Sequence, residues 1–63
     1  MKFKNLRKFI FCPCTVLEAD VEYKFINTHE ETAFDSKKVI GIRSRDLKIN
    51  GHSAGSYIEV LVK

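Results

Sequence analysis

The sequence predicts an α+β fold that is mostly β: a small antiparallel sheet or barrel of about five strands, with one short helix between the second and third strands. Three observations support this fold class. Residues 17–25 alternate apolar and charged side chains without a break, which is typical of a half-buried strand. Residues 57–62 are rich in β-branched side chains, as strands are. Between these segments, Asn50-Gly51 is a dipeptide typical of a tight hairpin turn.

The first two strands are predicted over Phe3–Phe11 and 17–25, joined as a hairpin through Cys12-Pro13-Cys14. Pro13 favours a turn because proline cannot donate to a strand ladder. The alternative for the second segment is a helix, since Thr15-Val16-Leu17-Glu18 resembles a capping box. Helical wrapping would leave Tyr23 outside the apolar face, so the strand is the better interpretation.

The short helix is predicted to begin at Thr28 and to end near Lys37-Lys38. Thr28 and Glu31 have the spacing of a capping box. Acidic residues in the first turn and lysines in the last turn both suit the helix dipole.

Two short strands are predicted to follow, over 39–43 and 47–49. The apolar residues stand at even positions in the first segment, Ile40 and Ile42, and at odd positions in the second, Leu47 and Ile49. Both sets can face the core only if a turn or bulge lies at 44–46. The strand over 57–62 completes the sheet. The residues expected in the core include Leu17, Val21, Phe25 and Ile42.

The length limits what the chain can contain. A chain of 63 residues makes one domain, residues 1–63, and buries only about 60% of its unfolded surface, so a deep catalytic pocket is not expected. The apolar run Phe9-Ile10-Phe11 is too short for an export signal, and no run approaches the roughly 20 residues of a membrane span. A membrane-surface helix over residues 1–11 would also be too short. A cytoplasmic protein without membrane insertion is predicted.

The segment 51–55 matches Gly-x-Ser-x-Gly, the pattern of a hydrolase nucleophile elbow. That elbow needs a helix after the serine and a histidine further along the chain. Here a predicted strand follows Ser53, and His29 and His52 both precede it. We therefore predict that the protein is not an enzyme and that Ser53 belongs to a flexible hairpin loop.

Two cysteines and two histidines match the ligand count of a structural zinc site. They are Cys12, Cys14, His29 and His52. Their spacing fits no common zinc module. We predict reduced cysteines, no metal and no cofactor.

Charge is distributed in blocks: +4 over residues 1–14, −5 over 15–35 and +4 over 36–63. In the predicted hairpin the N-terminal basic residues would lie beside the acids of 18–22, each pair contributing about 0.2 to 1 kcal/mol. The basic residues of 43–48 have only Asp46 nearby in sequence. The residues predicted to bind a partner are Arg43, Arg45 and Lys48 first, followed by Lys2, Lys4, Arg7 and Lys8.

These patterns favour a small non-catalytic binding protein, a regulator or inhibitor that contacts a protein partner through mixed charges or an exposed strand edge. A homodimer through a strand edge is a further form of the same hypothesis. The alternative is a small basic domain that binds single-stranded DNA or RNA, because basic and aromatic residues interleave over 2–11. Against it, Tyr23 and Phe25 are needed as core, and the acids of 18–22 would repel phosphates.

Overall fold

The computed structural model describes residues 1–63. It contains one helix and four strands: α1 (Phe3–Arg7), β1 (Cys14–Glu18), β2 (Val21–Tyr23), β3 (Val39–Ile49) and β4 (His52–Val62). The strands form one open sheet in the order β2-β1-β4-β3, with β1 parallel to β4 and the other pairs antiparallel. The mostly β character is confirmed. Three details are corrected: the sheet has four strands and is mixed, and the helix precedes the strands.

The first segment forms α1, not a strand. The turns after α1 continue its helical path to Ile10. Phe3, Leu6 and Ile10 share one side of this path, and Phe3 and Ile10 are both buried. An extended chain would place Phe3 and Ile10 on opposite sides. The helix begins where the N–H of Phe3 donates to the carbonyl oxygen of Lys37 at 2.9 Å.

The alternating segment 17–25 is not one strand. β1 ends at Glu18, the chain turns through Ala19-Asp20, and β2 returns so that Val21 lies opposite Glu18. Ala19 adopts a φ of 54°, which is uncommon for a residue other than glycine. Glycine and asparagine are the residues that most often adopt such a φ, and neither is present in this turn. The sequence therefore does not mark the turn clearly.

The predicted helix over 28–38 is replaced by a series of turns. Polar side chains in this segment bond to backbone groups, which competes with helix formation. The hydroxyl of Thr28 donates to the carbonyl oxygen of Ile10 at 3.1 Å instead of capping a helix. The hydroxyl of Thr32 accepts from the N–H of Phe34 at 3.1 Å.

β3 and β4 form one long hairpin around Asn50-Gly51. Both turn residues have positive φ, 51° and 80°, as a two-residue turn of this kind requires, so the predicted turn is confirmed. The residues after the turn belong to β4 and not to a loop. The ladder is regular over 44–46, where a bulge was predicted. The extra residues lie at Ile40 in β3 and at 54–55 in β4, opposite Leu47.

The two faces of the sheet differ. The covered face carries the core, in which α1 and the segment after β2 pack on the central strands; its buried apolar residues are Phe3, Ile10, Cys14, Val16, Phe34, Val60 and Val62. The open face carries Thr15 of β1, which lies opposite Glu59 of β4. No helix packs on the open face.

The predicted core residues are largely outside this core. Val21, Phe25 and Ile42 are each about half exposed, and Leu17 is only partly buried. β2 and β3 lie at the two edges of the sheet, so their apolar side chains pack on one side only. The one helix, α1, has five residues and is far too short to span a membrane.

Candidate partner-binding edge and open face

β3 is an edge strand whose outer side is mostly unpaired. Only the start of the chain pairs there: Lys2 forms an isolated bridge with Lys38, and the N–H of Val39 donates to the carbonyl oxygen of Met1 at 2.8 Å. Beyond Val39 no other element pairs with this side of β3. We call the outer side of residues 40–49 the β3 edge.

The register shows which backbone groups of β3 point outward. Ser44 lies opposite Ile58, and the N–H of Ile58 donates to the carbonyl oxygen of Pro13, on the β1 side, at 3.1 Å. In an antiparallel pair, opposite residues either bond to each other or both point their backbone groups away. The N–H and C=O of Ser44 therefore face the β3 edge, and by alternation so do those of Ile42 and Asp46.

Two predicted contact residues, Arg43 and Arg45, lie side by side on the open face of β3 and share one carboxylate. Nε of Arg45 lies 2.5 Å from Oε1 of Glu59 on β4, and Nε of Arg43 lies 3.6 Å from the same oxygen. Glu59 is 6% exposed, whereas both arginine side chains are about half exposed. The hydrogen bond from Arg45 to Glu59 raises the pKa of Arg45 above its ordinary value.

Glu59, and not Asp46, is thus the acid that neutralises this pair. The carboxylate is buried at the centre of the sheet, where an unpaired charge would be costly. Arg45 donates to it through Nε, and Arg43 adds its charge 3.6 Å from the same oxygen. The Nη groups of both arginines have no hydrogen-bond partner in the protein. Arg43, Arg45 and Glu59 together carry a net charge of +1, which lies on two solvent-accessible guanidinium groups.

The other predicted basic residues have different environments. Lys48 is exposed on β3, opposite Ser53, and forms no ion pair. Lys2 lies at the start of the β3 edge, so the fold brings it into line with Arg43 and Arg45. Lys4 and Lys8 are exposed on or beside α1, also without ion pairs.

Arg7 differs from the other predicted contact residues because it forms a mostly buried ion pair within the protein; its assignment as a contact residue stays a prediction. Its Nε and Nη2 donate to the two carboxylate oxygens of Asp35 at 2.8 and 3.1 Å, and its Nη1 donates to the carbonyl oxygen of Thr28 at 3.4 Å. The side chains of Arg7 and Asp35 are mostly buried. The Arg7 guanidinium, with help from Thr32, lowers the pKa of Asp35.

The predicted pairing of N-terminal basic residues with the acids of 18–22 is wrong. Glu18 pairs with Lys37 at 2.8 Å, and Glu22 pairs with Lys24 at 3.5 Å. Because the first segment is a helix and not a strand, it does not lie beside β1 in the sheet.

The open face contains a shallow depression of about 400 Å³. Its lining residues are Thr15, Glu22, Lys24, Phe25, Asp46, Leu47, Lys48 and Tyr57. Phe25 packs edge-on against Tyr57 with ring centroids 5.5 Å apart. The hydroxyl of Thr15 is buried at this site without a hydrogen-bond partner. The expectation that Phe25 is needed in the core is therefore wrong, because its ring lies half exposed on the open face.

Ser53 lies in β4, exposed, between the glycines of the hairpin turn and the bulge. A strand and not a helix follows it, so the strand–turn–helix of a nucleophile elbow is not formed. Cys12 is exposed and Cys14 is buried, both as free thiols. The structure holds no cluster of three or more potential metal ligands; a metal-free protein stays a prediction.

Comparison of the chain with protein-family models, with curated proteins and with solved structures finds no match. The function is therefore argued from the β3 edge and the open face.

Proposed function

We propose that this protein is a non-catalytic binding protein, a regulator or inhibitor, that contacts a protein partner along the β3 edge. The observation that supports this is the length of the unpaired edge. β3 has 11 residues, and past Val39 its outward N–H and C=O groups have no partner within the sheet. An extended segment of another protein can add to such an edge through main-chain hydrogen bonds.

The opposite edge of the sheet supports the choice of β3. β2 has only three residues, and very short edge strands are one way in which proteins avoid unwanted pairing. β3 is long, and its protection consists of charged side chains. Charges on an edge repel a like-charged strand and admit a complementary one.

The same charges disfavour a homodimer through β3. Antiparallel self-pairing centred near Ser44 would bring Arg43 and Arg45 of one copy beside those of the other. Like charges placed opposite each other destabilise a strand pair. A different protein with a complementary strand is the better partner.

Substitution at Ser44 tests this proposal. Ser44→Pro removes one outward N–H without removing a ladder bond to β4, which is the position where an edge strand tolerates proline. Ser44→Thr keeps the N–H and serves as the matched control. In a pull-down from nuclease-treated lysate, we expect wild type and Ser44→Thr to capture the same protein and Ser44→Pro to lose it. Equal capture by all three folded proteins would contradict the proposal.

A second candidate is binding of single-stranded nucleic acid on the open face. The specific observation is the half-exposed Phe25 ring against Tyr57, with Lys24 and Lys48 lining the same depression. Bases stack on such rings while lysines contact phosphates.

A labelled dT12 oligonucleotide tests the second candidate by gel shift. We expect binding to fall steeply with salt, Phe25→Ala to weaken it, and each phosphate-contacting lysine removed to lower the log–log salt slope by about one. Lys4→Gln/Lys8→Gln, on the α1 side, is the charge-matched control. A salt-independent shift, or none, would exclude this function.

A further inference from the structure

We infer that Arg43 and Arg45 form a carboxylate-binding pair, and that the segment added at the β3 edge is an extended acidic peptide. This inference rests on the proposed function and specifies the chemistry of its partner. It follows from the position of the two arginines, from the way Glu59 orients them, and from the side chains that flank them on β3.

Glu59 uses only part of each guanidinium. Both arginines approach Oε1 of Glu59 through Nε, so the edge of each guanidinium formed by its two Nη groups has no partner in the protein. A guanidinium binds a carboxylate through two parallel N–H groups. Each arginine therefore keeps a pair of donors for a second carboxylate.

Glu59 also restricts Arg45. A free arginine side chain loses rotamer freedom when it binds, and this loss opposes binding. Arg45 is already held by its 2.5 Å hydrogen bond to the buried Glu59. The smaller loss of freedom favours binding of an anion at this point over binding at a lysine without a partner.

The charge along this side of the molecule has one dominant sign. Lys2 lies at the start of the β3 edge, and Arg43, Arg45 and Lys48 follow along β3. Asp46 is the only acid on β3. An acidic segment is complementary to this surface, whereas a basic one is repelled.

The register gives the pattern of the segment. Side chains of an added strand alternate between the two faces, so those beside Arg43 and Arg45 lie on the open face and are expected to be acidic. Those beside Ile42, which is 52% exposed, lie on the covered face and are expected to be apolar. Acidic and apolar residues should therefore alternate in the partner.

This alternation favours a peptide over a nucleic acid at the β3 edge. The outward N–H and C=O groups of Ser44 can both be satisfied by a peptide backbone, which carries donors and acceptors at the same spacing. A phosphate backbone has acceptors only, and it offers nothing apolar to cover Ile42.

Binding of two synthetic octapeptides tests the inference. Labelled Ac-(Glu-Val)4-NH2 and Ac-(Lys-Val)4-NH2 are titrated with the protein and followed by fluorescence anisotropy at near-physiological salt. We expect the acidic peptide to bind at least about tenfold more tightly, since hydrogen bonds to charged groups commonly contribute this much. We also expect Ser44→Pro to abolish its binding and slowed amide hydrogen exchange at Ser44 in the wild-type complex.

Two variants test the arginines. Arg43→Gln keeps the hydrogen bond between Arg45 and Glu59, and the triple variant Arg43→Gln/Arg45→Gln/Glu59→Gln removes the buried carboxylate together with its partners, so that both are expected to fold. We expect the first to weaken binding of the acidic peptide and the second to reduce it by at least about tenfold. Lys4→Gln/Lys8→Gln removes two cations near α1, as many as the triple variant removes from β3, and is expected to bind like wild type.

The outcomes separate the inference from the proposed function. Loss of lysate capture in Ser44→Pro, with equal or no binding of the two octapeptides, would overturn the acidic chemistry and leave strand addition standing. Retained capture in Ser44→Pro would overturn both. A third outcome is that dT12 competes with the acidic peptide, and that its binding needs Arg43 and Arg45 but not the N–H of Ser44. This result would overturn the inference and identify the two arginines as a nucleic-acid contact.

Discussion

Oε1 of Glu59 on β4 accepts a hydrogen bond from Nε of Arg45 on β3 at 2.5 Å, while Glu59 itself is only 6% exposed. A buried carboxylate that loses its partners is strongly destabilising. We therefore expect Arg43→Gln/Arg45→Gln to melt at a lower temperature than the triple variant that also carries Glu59→Gln, although the triple variant has lost more charged groups. Circular-dichroism melts near neutral pH give the order. The reverse order would show that Glu59 is solvated.

The position of Glu59 beside the arginines is a consequence of the bulge in β4. In a regular ladder counted from the Asn50-Gly51 turn, Ile42 would lie opposite Glu59. The extra residue in β4, at 54–55, shifts the register and places Arg43 there. The sequence identifies the turn and both arginines. Counting from the turn does not identify their acid, because the count omits the bulge at 54–55, where Gly55 adopts a φ of 120°.

Other parts of the fold were predictable to different degrees. The strand ending at Val62 and the Asn50-Gly51 turn follow from local side-chain chemistry alone. The short helix over 3–7 does not, because five residues are too few for periodicity to decide. The helical spacing of Phe3, Leu6 and Ile10 becomes decisive only when Phe3 and Ile10 pack on the sheet. The turn at Ala19-Asp20 has no glycine to mark it, so a hairpin was predicted as one continuous strand.

Amide hydrogen exchange should alternate along β3. The N–H groups of Ile42 and Ser44 face water at the β3 edge, whereas those of Arg43 and Arg45 bond to β4. We expect the first two to exchange much faster than the second two in the free protein, as measured by NMR in D2O. Uniform protection over these four residues would mean that the edge is already paired, for example in a dimer.

The two phenylalanines on opposite faces should differ in their contribution to stability. Phe3 is fully buried in the core, so we expect Phe3→Ala to cost about 3 to 5 kcal/mol, enough to unfold much of a chain this small. Phe25 is half exposed, and Phe25→Ala should cost clearly less. Urea unfolding measures both. A larger loss for Phe25→Ala would place the core on the open face.

The thiol of Cys14 should make the fold sensitive to alkali. Burial raises the pKa of Cys14 to about 11, from an ordinary value of 9.0. Between these two values the folded chain keeps a proton that the unfolded chain has lost, so the free energy of unfolding falls as the pH rises. We expect the melting temperature of Cys14→Val to fall less than that of wild type between about pH 8 and pH 11, a range that brackets this titration.

A thiol reagent gives an independent measure of the same burial. Cys12 is exposed and Cys14 is buried, so near neutral pH we expect one thiol per folded chain to react with dithionitrobenzoate, and none in Cys12→Ser. Rapid reaction of both thiols in the native protein would contradict the buried position of Cys14.

The ion pair between Arg7 and Asp35 should contribute to stability at neutral pH and not in acid. Because the pKa of Asp35 is lowered in the folded chain, its contribution is complete above the unfolded value of about 3.9 and is lost as the pH falls through the lower folded value. We expect Arg7→Gln to lower the melting temperature at neutral pH, with a smaller difference from wild type in strong acid. Lys8→Gln is the control that should change neither.

The parallel pairing of β1 with β4 affects when the sheet can form during translation. β4 lies between β1 and β3 in the sheet, and it follows α1, β1, β2 and β3 in the chain. Until residues 58–62 leave the ribosome, the side of β1 that pairs with β4 has no partner strand. Pairing between segments so distant in sequence is slow to form. Until β4 has been translated, β1 can therefore pair only with the three-residue β2, and the complete four-stranded sheet assembles only afterwards.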